Sequence, residues 1–213
     1  MTRHEPAALP AFRIGDADPE CRYPIFVGTK QDRFIGHVFR WHKPWYAVPA
    51  SGKLAGTEQR FTHPAPGDEN PDPDDAGPAR PAREQAIRWL LKAVADREAD
   101  HHITPVHDGW PLPPTPVSTT LLHPRMVDTP TNRKRAAEVI TSLAALCWQP
   151  IGGYPGSDNP WMVRCLLHAE SAWEGPLYWS HLRGRNRQLP STYRHKGCLP
   201  DAEVRARVPA YQA

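Results

Sequence analysis

Two short Cys/His pairs constrain the fold of this chain more than any other feature of its sequence. Cys165 and His168 form a Cys-x-x-His pair, and His195 and Cys198 form a His-x-x-Cys pair. Two residues between ligands let one tight turn aim both side chains at one ion, and a second such turn completes a tetrahedron. Gly197, inside the second pair, supplies the backbone freedom that the turn needs. The spacing therefore predicts a structural Zn²⁺ site with four protein ligands.

Other assignments of these residues stay open at the level of sequence. Without a metal, Cys165 would be a buried thiol and the histidines would be incidental surface residues. His181 competes for one of the ligand positions. A second group of possible ligands lies upstream, but its spacing matches no compact metal site. Its members are His101, His102, His107 and Asp108.

The two remaining cysteines, Cys21 and Cys147, stand alone in the sequence. They allow either a disulfide or two free thiols, of which buried free thiols are the commoner outcome. The N-terminus lacks the apolar segment of a secretory signal, and no run of about 18 apolar residues predicts a membrane span. We therefore expect a cytoplasmic protein without a membrane partner, in a compartment where reduced thiols suit zinc.

Proline content predicts small ordered units joined by stiff segments. The chain has 26 prolines among 213 residues and an apolar fraction of only 39%, both unlike a chain with one large core. We predict an α+β protein with a flexible lead-in at 1–23 and a β-β-β-α domain at 24–100 that contains an acidic Pro-rich loop at 62–82. A Pro-rich linker at 101–129 and a helix plus zinc-finger-like domain at 130–213 follow.

Hydrophobic periodicity predicts the helices and strands of both domains. Alternating patterns predict short strands within 24–27, 34–41, 45–48 and 56–61. Apolar residues at helical spacing predict a helix over 82–99, and its apolar face comprises Ala86, Trp89, Leu90, Ala93 and Val94. A second helix begins near Thr129, which is a good N-cap, with Pro130 at its first position. Strands near 148–154, 161–165 and 173–179 and a last helix at 200–207 complete the prediction.

Positive charge is concentrated in the C-terminal part. Residues 133–213 hold eleven Lys and Arg against six acidic residues, which favours an anionic partner, although an ordinary solvated face is the alternative. Arginine binds phosphates bidentately, and nearby aromatic rings can stack on bases. The predicted nucleic-acid contacts are Arg183, Arg185, Arg187, Arg194 and Lys196.

A set of short segments forms a pattern over about residues 148–200. They are 154–161 (YPGSDNPW), Arg164-Cys165-x-x-His168, Trp173-Glu174-Gly175, Ser180-His181-Leu182-Arg183 and Gly197-Cys198. This stretch resembles bacterial treble-clef zinc-finger domains of the kind common in small actinobacterial proteins and beside nuclease modules. Histidines replace two of the usual cysteines, and the insert between the pairs is longer. The resemblance implies a structural zinc and, loosely, association with nucleic acid.

A second pattern lies in the N-terminal half, at Gly36, Trp45-Tyr46-Ala47, Gly52, Phe61, Ala86 and Trp89-Leu90. With these positions the N-terminal half resembles the arm-binding domains of phage and plasmid integrases, in which a three-stranded sheet packed on a helix enters a DNA groove. The acidic loop at 62–82 interrupts the pattern where those domains have a short turn. This resemblance implies DNA as the partner and a mobile element as the setting.

Three functions remain in competition. The first is a zinc-stabilised nucleic-acid-binding accessory or regulatory protein, with DNA the favoured partner. The second is a non-enzymatic adaptor that uses a structural zinc site to present a surface to a protein partner. The third is a metal-dependent nuclease, for which His181 with Asn186 is the only candidate pair near the site. Because four protein ligands leave no open metal position, we do not expect an enzyme.

Overall fold

The chain forms two compact units. The computed structural model describes residues 9–28, 30–69, 79–99, 120–167, 173–184 and 189–212, with the backbone alone for 94–99. The N-terminal unit comprises Met1–Ala17 and Arg22–Leu112, and the C-terminal unit comprises Asp18–Cys21 and Pro113–Ala213. Each unit combines helices with an antiparallel sheet, so the predicted α+β class is confirmed.

The N-terminal unit is an antiparallel meander covered by one helix. Its strands are β1 (Phe12–Ile14), β2 (Arg22–Val27), β3 (Arg33–Arg40), β4 (Trp45–Pro49) and β5 (Gln59–Phe61), and they are paired in that order. The helix α1 (Ala82–Ala99) packs against β3, β4 and β5. A helix on one face gives the sheet the apolar cover that it cannot provide alone.

Packing of α1 on the sheet depends on a close approach at Gly36. This residue has a φ of +152°, and a β-carbon there would collide with the Val48 carbonyl and lie 3.2 Å from Leu90 Cδ2. Leu90 and Leu91 are each 1% exposed. Burial of two such leucines contributes several kcal/mol, at about 1.5–3 kcal/mol each, which explains why glycine occupies this point of the sheet.

The sheet is larger than the sequence patterns indicated. Five strands replace the three of the predicted β-β-β-α domain: the short strand predicted at 24–27 belongs to the sheet as β2, and β1 lies inside the segment 1–23 that was predicted to be a flexible lead-in. A three-residue strand whose side chains are all exposed has no hydrophobic period to detect. The helical face also differs: Ile87 and Leu91 are buried, whereas Trp89 is only partly buried.

In its described residues, the C-terminal unit combines a three-stranded antiparallel sheet with three α-helices. Its elements in chain order are α2 (Pro130–Ala145), β6 (Trp148–Pro150), β7 (Trp161–Cys165), β8 (Glu174–Leu177), α3 (Trp179–Leu182), α4 (Asp201–Arg207) and a 3₁₀ turn (Pro209–Tyr211). The strand order is β6-β7-β8, so β7 is central. Cys165 ends this central strand, which places the first predicted ligand at a rigid position.

The start of α2 follows the sequence prediction. Thr129 is the N-cap and its side chain accepts the Asn132 N–H, while Pro130 occupies the first helical position. Asp128, just before the cap, forms two hydrogen bonds with Arg133, at 2.5 and 2.6 Å. The carboxylate thus offsets one of the cations that the helix dipole disfavours in this first turn.

Part of the segment predicted as a linker belongs to the packed C-terminal unit. Leu122 forms a parallel bridge with Tyr154, and His123 is only 5% exposed. The predicted linker residues 101–119 lie outside the described residues, as do residues 70–78 of the acidic loop. Among the helices of the described ranges, none has the length and apolar character that a membrane span needs.

Candidate metal centre

Three of the four predicted zinc ligands lie together in the C-terminal unit. Within the described residues, Cys165, His195 and Cys198 each bring one ligand atom to within 4.8 Å of the other two. The sequence separates Cys165 from the other two by about thirty residues, so the fold and not local geometry assembles the cluster. These three residues are able to hold a metal ion.

Cys165 is fixed by the sheet. It pairs with Trp148 across β6 and β7, its N–H donates to the Trp173 carbonyl at 2.9 Å, and its side chain is buried. Burial raises the pKa of the Cys165 thiol, while a hydrogen bond from the Leu167 backbone N–H acts in the opposite direction. An N–H aimed at the sulfur stabilises a thiolate, the form in which cysteine binds metals.

The second pair has the tight turn that its spacing predicts. The Cys198 N–H donates to the His195 carbonyl at 3.2 Å, and Gly197 has a φ of +82°, in the left-handed region. This turn leads directly toward α4. The predicted role of Gly197 is confirmed, since residues with a β-carbon rarely adopt this conformation.

Two contacts orient the imidazole of His195. Its ring stacks on the Trp173 ring, with the centroids 4.4 Å apart and the planes 5° from parallel. Its Nδ1 lies 3.0 Å from the Lys196 carbonyl oxygen, which accepts a hydrogen bond from Nδ1–H. That tautomer leaves Nε2, which is buried, with a lone pair for a metal. A backbone carbonyl on the distal nitrogen is the usual support of a histidine ligand.

The sulfur positions suit a tetrahedral ion better than a disulfide. The Sγ atoms of Cys165 and Cys198 are 4.0 Å apart, whereas a disulfide needs about 2.05 Å. Two sulfurs bound at about 2.3 Å to one tetrahedral Zn²⁺ are about 3.8 Å apart. The two thiols therefore already have nearly the spacing that a shared ion would impose.

The structure describes only some of the other residues that the sequence offered as metal ligands. His168 lies outside the described residues. His181, the alternative ligand, is exposed on α3 with its ring beside that of Tyr178, and it is not part of the cluster. The upstream group around His101 also lies outside the described residues.

Arg194 occupies a different place from the other predicted nucleic-acid contacts. It is only 7% exposed, its guanidinium lies 4.4 Å from the Trp148 ring centroid, and its Nη2 donates to the Leu146 carbonyl. Burial lowers the pKa of Arg194, and the thiols of Cys165 and Cys198 act in the opposite direction. Arg194 therefore lies in the interior, beside the cluster of Cys165, His195 and Cys198. An arginine in the sequence does not by itself indicate such burial.

The exposed cations lie on the segment that connects α3 to the second ligand pair. Arg183, Lys196 and Tyr193 are exposed, Tyr193 by 75%. Ser191 N–H donates to the Leu182 carbonyl at 2.9 Å, which joins the two ends of the intervening chain. Arg185 and Arg187 belong to this segment in sequence but lie outside the described residues.

Comparisons of the chain with models of protein families, with curated proteins and with solved structures gave no match. The function is therefore inferred from the residues of the site and their surroundings.

Proposed function

We propose that the protein is a zinc-stabilised DNA-binding accessory or regulatory protein of the cytoplasm, of the kind carried by mobile elements. The observation that carries the proposal is an exposed basic and aromatic surface built directly on the metal cluster. Ligand His195 lies between buried Arg194 and exposed Lys196, with exposed Tyr193 two residues before it. A metal at this site would fix the backbone that presents these side chains.

Zinc is the metal that the donor set favours. Thiolate and imidazole ligands suit Zn²⁺, and a closed site of four protein ligands serves structure instead of catalysis. We propose that His168 supplies the fourth ligand beside Cys165, as the Cys-x-x-His spacing predicts. Metal binding then stabilises the folded C-terminal unit, by about 4 kcal/mol when free Zn²⁺ is a thousandfold above Kd.

The segment 183–196 is the proposed DNA contact. It contains five Lys or Arg residues and no acidic residue, and within it the exposed side chains of Arg183 and Lys196 are available to phosphates. Tyr193 offers an exposed ring for stacking on a base or packing against a sugar. We assign Arg194 to support of the centre, so the proposed phosphate contacts are Arg183, Arg185, Arg187 and Lys196. DNA is favoured over RNA because the N-terminal unit resembles integrase arm-binding domains.

The salt dependence of binding tests this proposal. If the four cations each neutralise one phosphate, log Kobs for zinc-loaded protein and a mixed-sequence duplex falls with log salt with a slope of about −3.6. Replacing Arg183, Arg185 and Arg187 by alanine reduces the slope to about −0.9. Fluorescence anisotropy with labelled DNA measures both.

The matched control is the double variant Arg205→Ala, Arg207→Ala. It removes cations from the same unit, but both already pair with acids on α4, at 3.1 Å to Asp201 and Glu203. We expect its salt slope to equal that of the unmodified protein. Absence of binding at low salt by zinc-loaded protein, or an unchanged slope in the triple variant, contradicts the DNA-binding proposal.

One observation favours a protein partner as the second candidate function. A cleft of about 580 Å³ lies in the N-terminal unit between β1 and α1. Its apolar lining includes Phe12 and Ile14, which are 41% and 36% exposed, with Ile87 and Leu91 beneath. If the protein is an adaptor, we expect one protein partner to bind stoichiometrically after nuclease treatment. We expect Phe12→Glu to abolish this complex without altering the zinc content of the protein. Binding unaffected by Phe12→Glu rejects this cleft as the docking site.

A further inference from the structure

We propose that Arg194 is the buried counter-cation of the Cys165–Cys198 thiolate pair, and that its Nη1 donates to a thiolate sulfur once the pair holds a metal. The inference rests on the zinc site proposed above and adds a residue that neither the ligand spacing nor the ligand cluster includes.

The guanidinium of Arg194 is anchored on two sides. Its plane lies over the Trp148 ring, 4.4 Å from the centroid, and Trp148 is the direct cross-strand partner of Cys165. Its Nη2 donates to the carbonyl of Leu146, at the end of α2. The next residue in the chain is ligand His195. Arg194 is thereby held beside the metal cluster by contacts with α2 and β6, independently of any metal.

The Nη1 nitrogen of this guanidinium is the unusual feature. Arg194 is 7% exposed, and its Nη1 is buried without a hydrogen-bond partner within the described parts of the chain. An unsatisfied buried donor on a charged group is costly, so native structures seldom leave one unpaired. The donor therefore indicates an acceptor that forms in another state of the site.

Charge identifies that acceptor. Arginine stays protonated in proteins, and a buried cation needs an anionic partner. A ligand thiolate is the partner that the fold places beside this guanidinium, because the guanidinium lies over the ring of Trp148, the cross-strand partner of Cys165, and is followed in the chain by His195. Neutral thiols are weak acceptors, whereas metal binding converts ligand cysteines to thiolates.

This arrangement makes Arg194 a positioning residue for the metal ligands. A hydrogen bond from a cation lowers the electron density on a metal-bound sulfur, so the sulfur reacts more slowly with electrophiles. The same bond lowers the free energy of the metal-bound state relative to the metal-free state. Residues that hydrogen-bond to metal ligands without binding the metal themselves change metal affinity about 10- to 100-fold when they are removed.

The test uses the full chain loaded with Zn²⁺ and the variant Arg194→Met, which keeps a long apolar stem over Trp148 but removes the charge and the donors. We expect zinc affinity, measured against a chromophoric chelator, to fall at least 10-fold. We expect alkylation of Cys165 and Cys198 by iodoacetamide, resolved by peptide mass spectrometry, to accelerate about 10-fold. Arg207→Met, an exposed arginine on α4, is the matched control and should change neither quantity.

The outcomes separate this inference from the zinc proposal. If the unmodified protein takes up no zinc, the proposed centre itself fails. If it takes up zinc but Arg194→Met retains the affinity and alkylation rates of the control, the centre stands and the inference about Arg194 is overturned.

A measurement on the unmodified chain covers the case in which Arg194→Met does not fold. In ¹⁵N-labelled protein, the Nη protons of Arg194 should exchange with solvent more slowly after Zn²⁺ is added, because one of them gains a sulfur acceptor. Equal exchange rates with and without bound Zn²⁺ overturn the inference.

Discussion

Replacement of Cys165 by serine gives the most direct measure of what the metal contributes to folding. The chain contains its own control, since Cys21 also belongs to the C-terminal unit and both side chains are 1% exposed. Cys21 is not part of the ligand cluster. Serine at either position puts a hydroxyl where a buried thiol was, so the two variants differ mainly in whether a metal ligand is lost.

The comparison of these two variants gives the expected losses of unfolding free energy. Burial of a hydroxyl in place of the thiol costs about 1–3 kcal/mol at each position. With free Zn²⁺ a thousandfold above Kd, the metal adds about 4.1 kcal/mol to the stability of the folded unit. Cys21→Ser therefore loses only the first quantity, whereas Cys165→Ser loses about 4 kcal/mol more. Chelation of zinc should remove this difference.

Hydrogen exchange of the peptide Trp161–Cys165 measures the effect. This segment is β7, the central strand of the sheet, so its amides exchange chiefly when the unit unfolds. In buffered zinc, protection should decrease much more in Cys165→Ser than in Cys21→Ser, and in chelator the two variants should be alike. The reasoning fails if protection in Cys165→Ser responds to zinc as strongly as in Cys21→Ser, because Cys165 would then not be a ligand.

Two further predictions concern the framework around the site. Thr129→Ala removes the N-cap acceptor of the Asn132 N–H and should cost about 1 kcal/mol of unfolding free energy; Thr141→Ala, at an exposed mid-helix position, should change stability little, and equal effects in urea unfolding would contradict the capping role. Burial, with a smaller effect of Arg22, lowers the pKa of His37 from 6.5 to about 4. Because the unfolded chain binds the proton more readily, stability is lost as pH falls from 6.5 toward 4, by about 2.5 kcal/mol at pH 4.5. His37→Gln should remove that part of the pH dependence, and an unchanged urea-midpoint profile would show that His37 does not cause it.

Local patterns predicted the features that are decided within a few residues. The Thr129-Pro130 start of α2 was recognisable because capping and proline geometry depend on adjacent positions. The same holds for the turn between His195 and Cys198, whose spacing and glycine define its geometry. His195 and Cys198 come together within that turn, whereas the approach of Cys165 from about thirty residues earlier depends on the fold.

The placement of Arg194 was not predictable from such patterns. Its sequence neighbours are polar, and arginine is mostly exposed in proteins. Its burial is decided by Leu146 and Trp148, more than forty residues earlier in the chain. The signal available in the sequence was adjacency to ligand His195, which indicates proximity to the metal but not whether a side chain faces solvent or the interior.

The hydrogen bond between Ser191 and Leu182 has a consequence for how this protein can diversify. Because it joins the two ends of residues 183–190, the length of chain between them adds little to the free energy of folding: doubling a loop costs only about 0.6 kcal/mol in closure entropy. Residues between these anchors can therefore be exchanged, inserted or deleted while Cys165, His195 and Cys198 keep their positions. This stretch can therefore change in sequence and length during evolution, and so adapt to new targets, while the rest of the C-terminal unit stays the same.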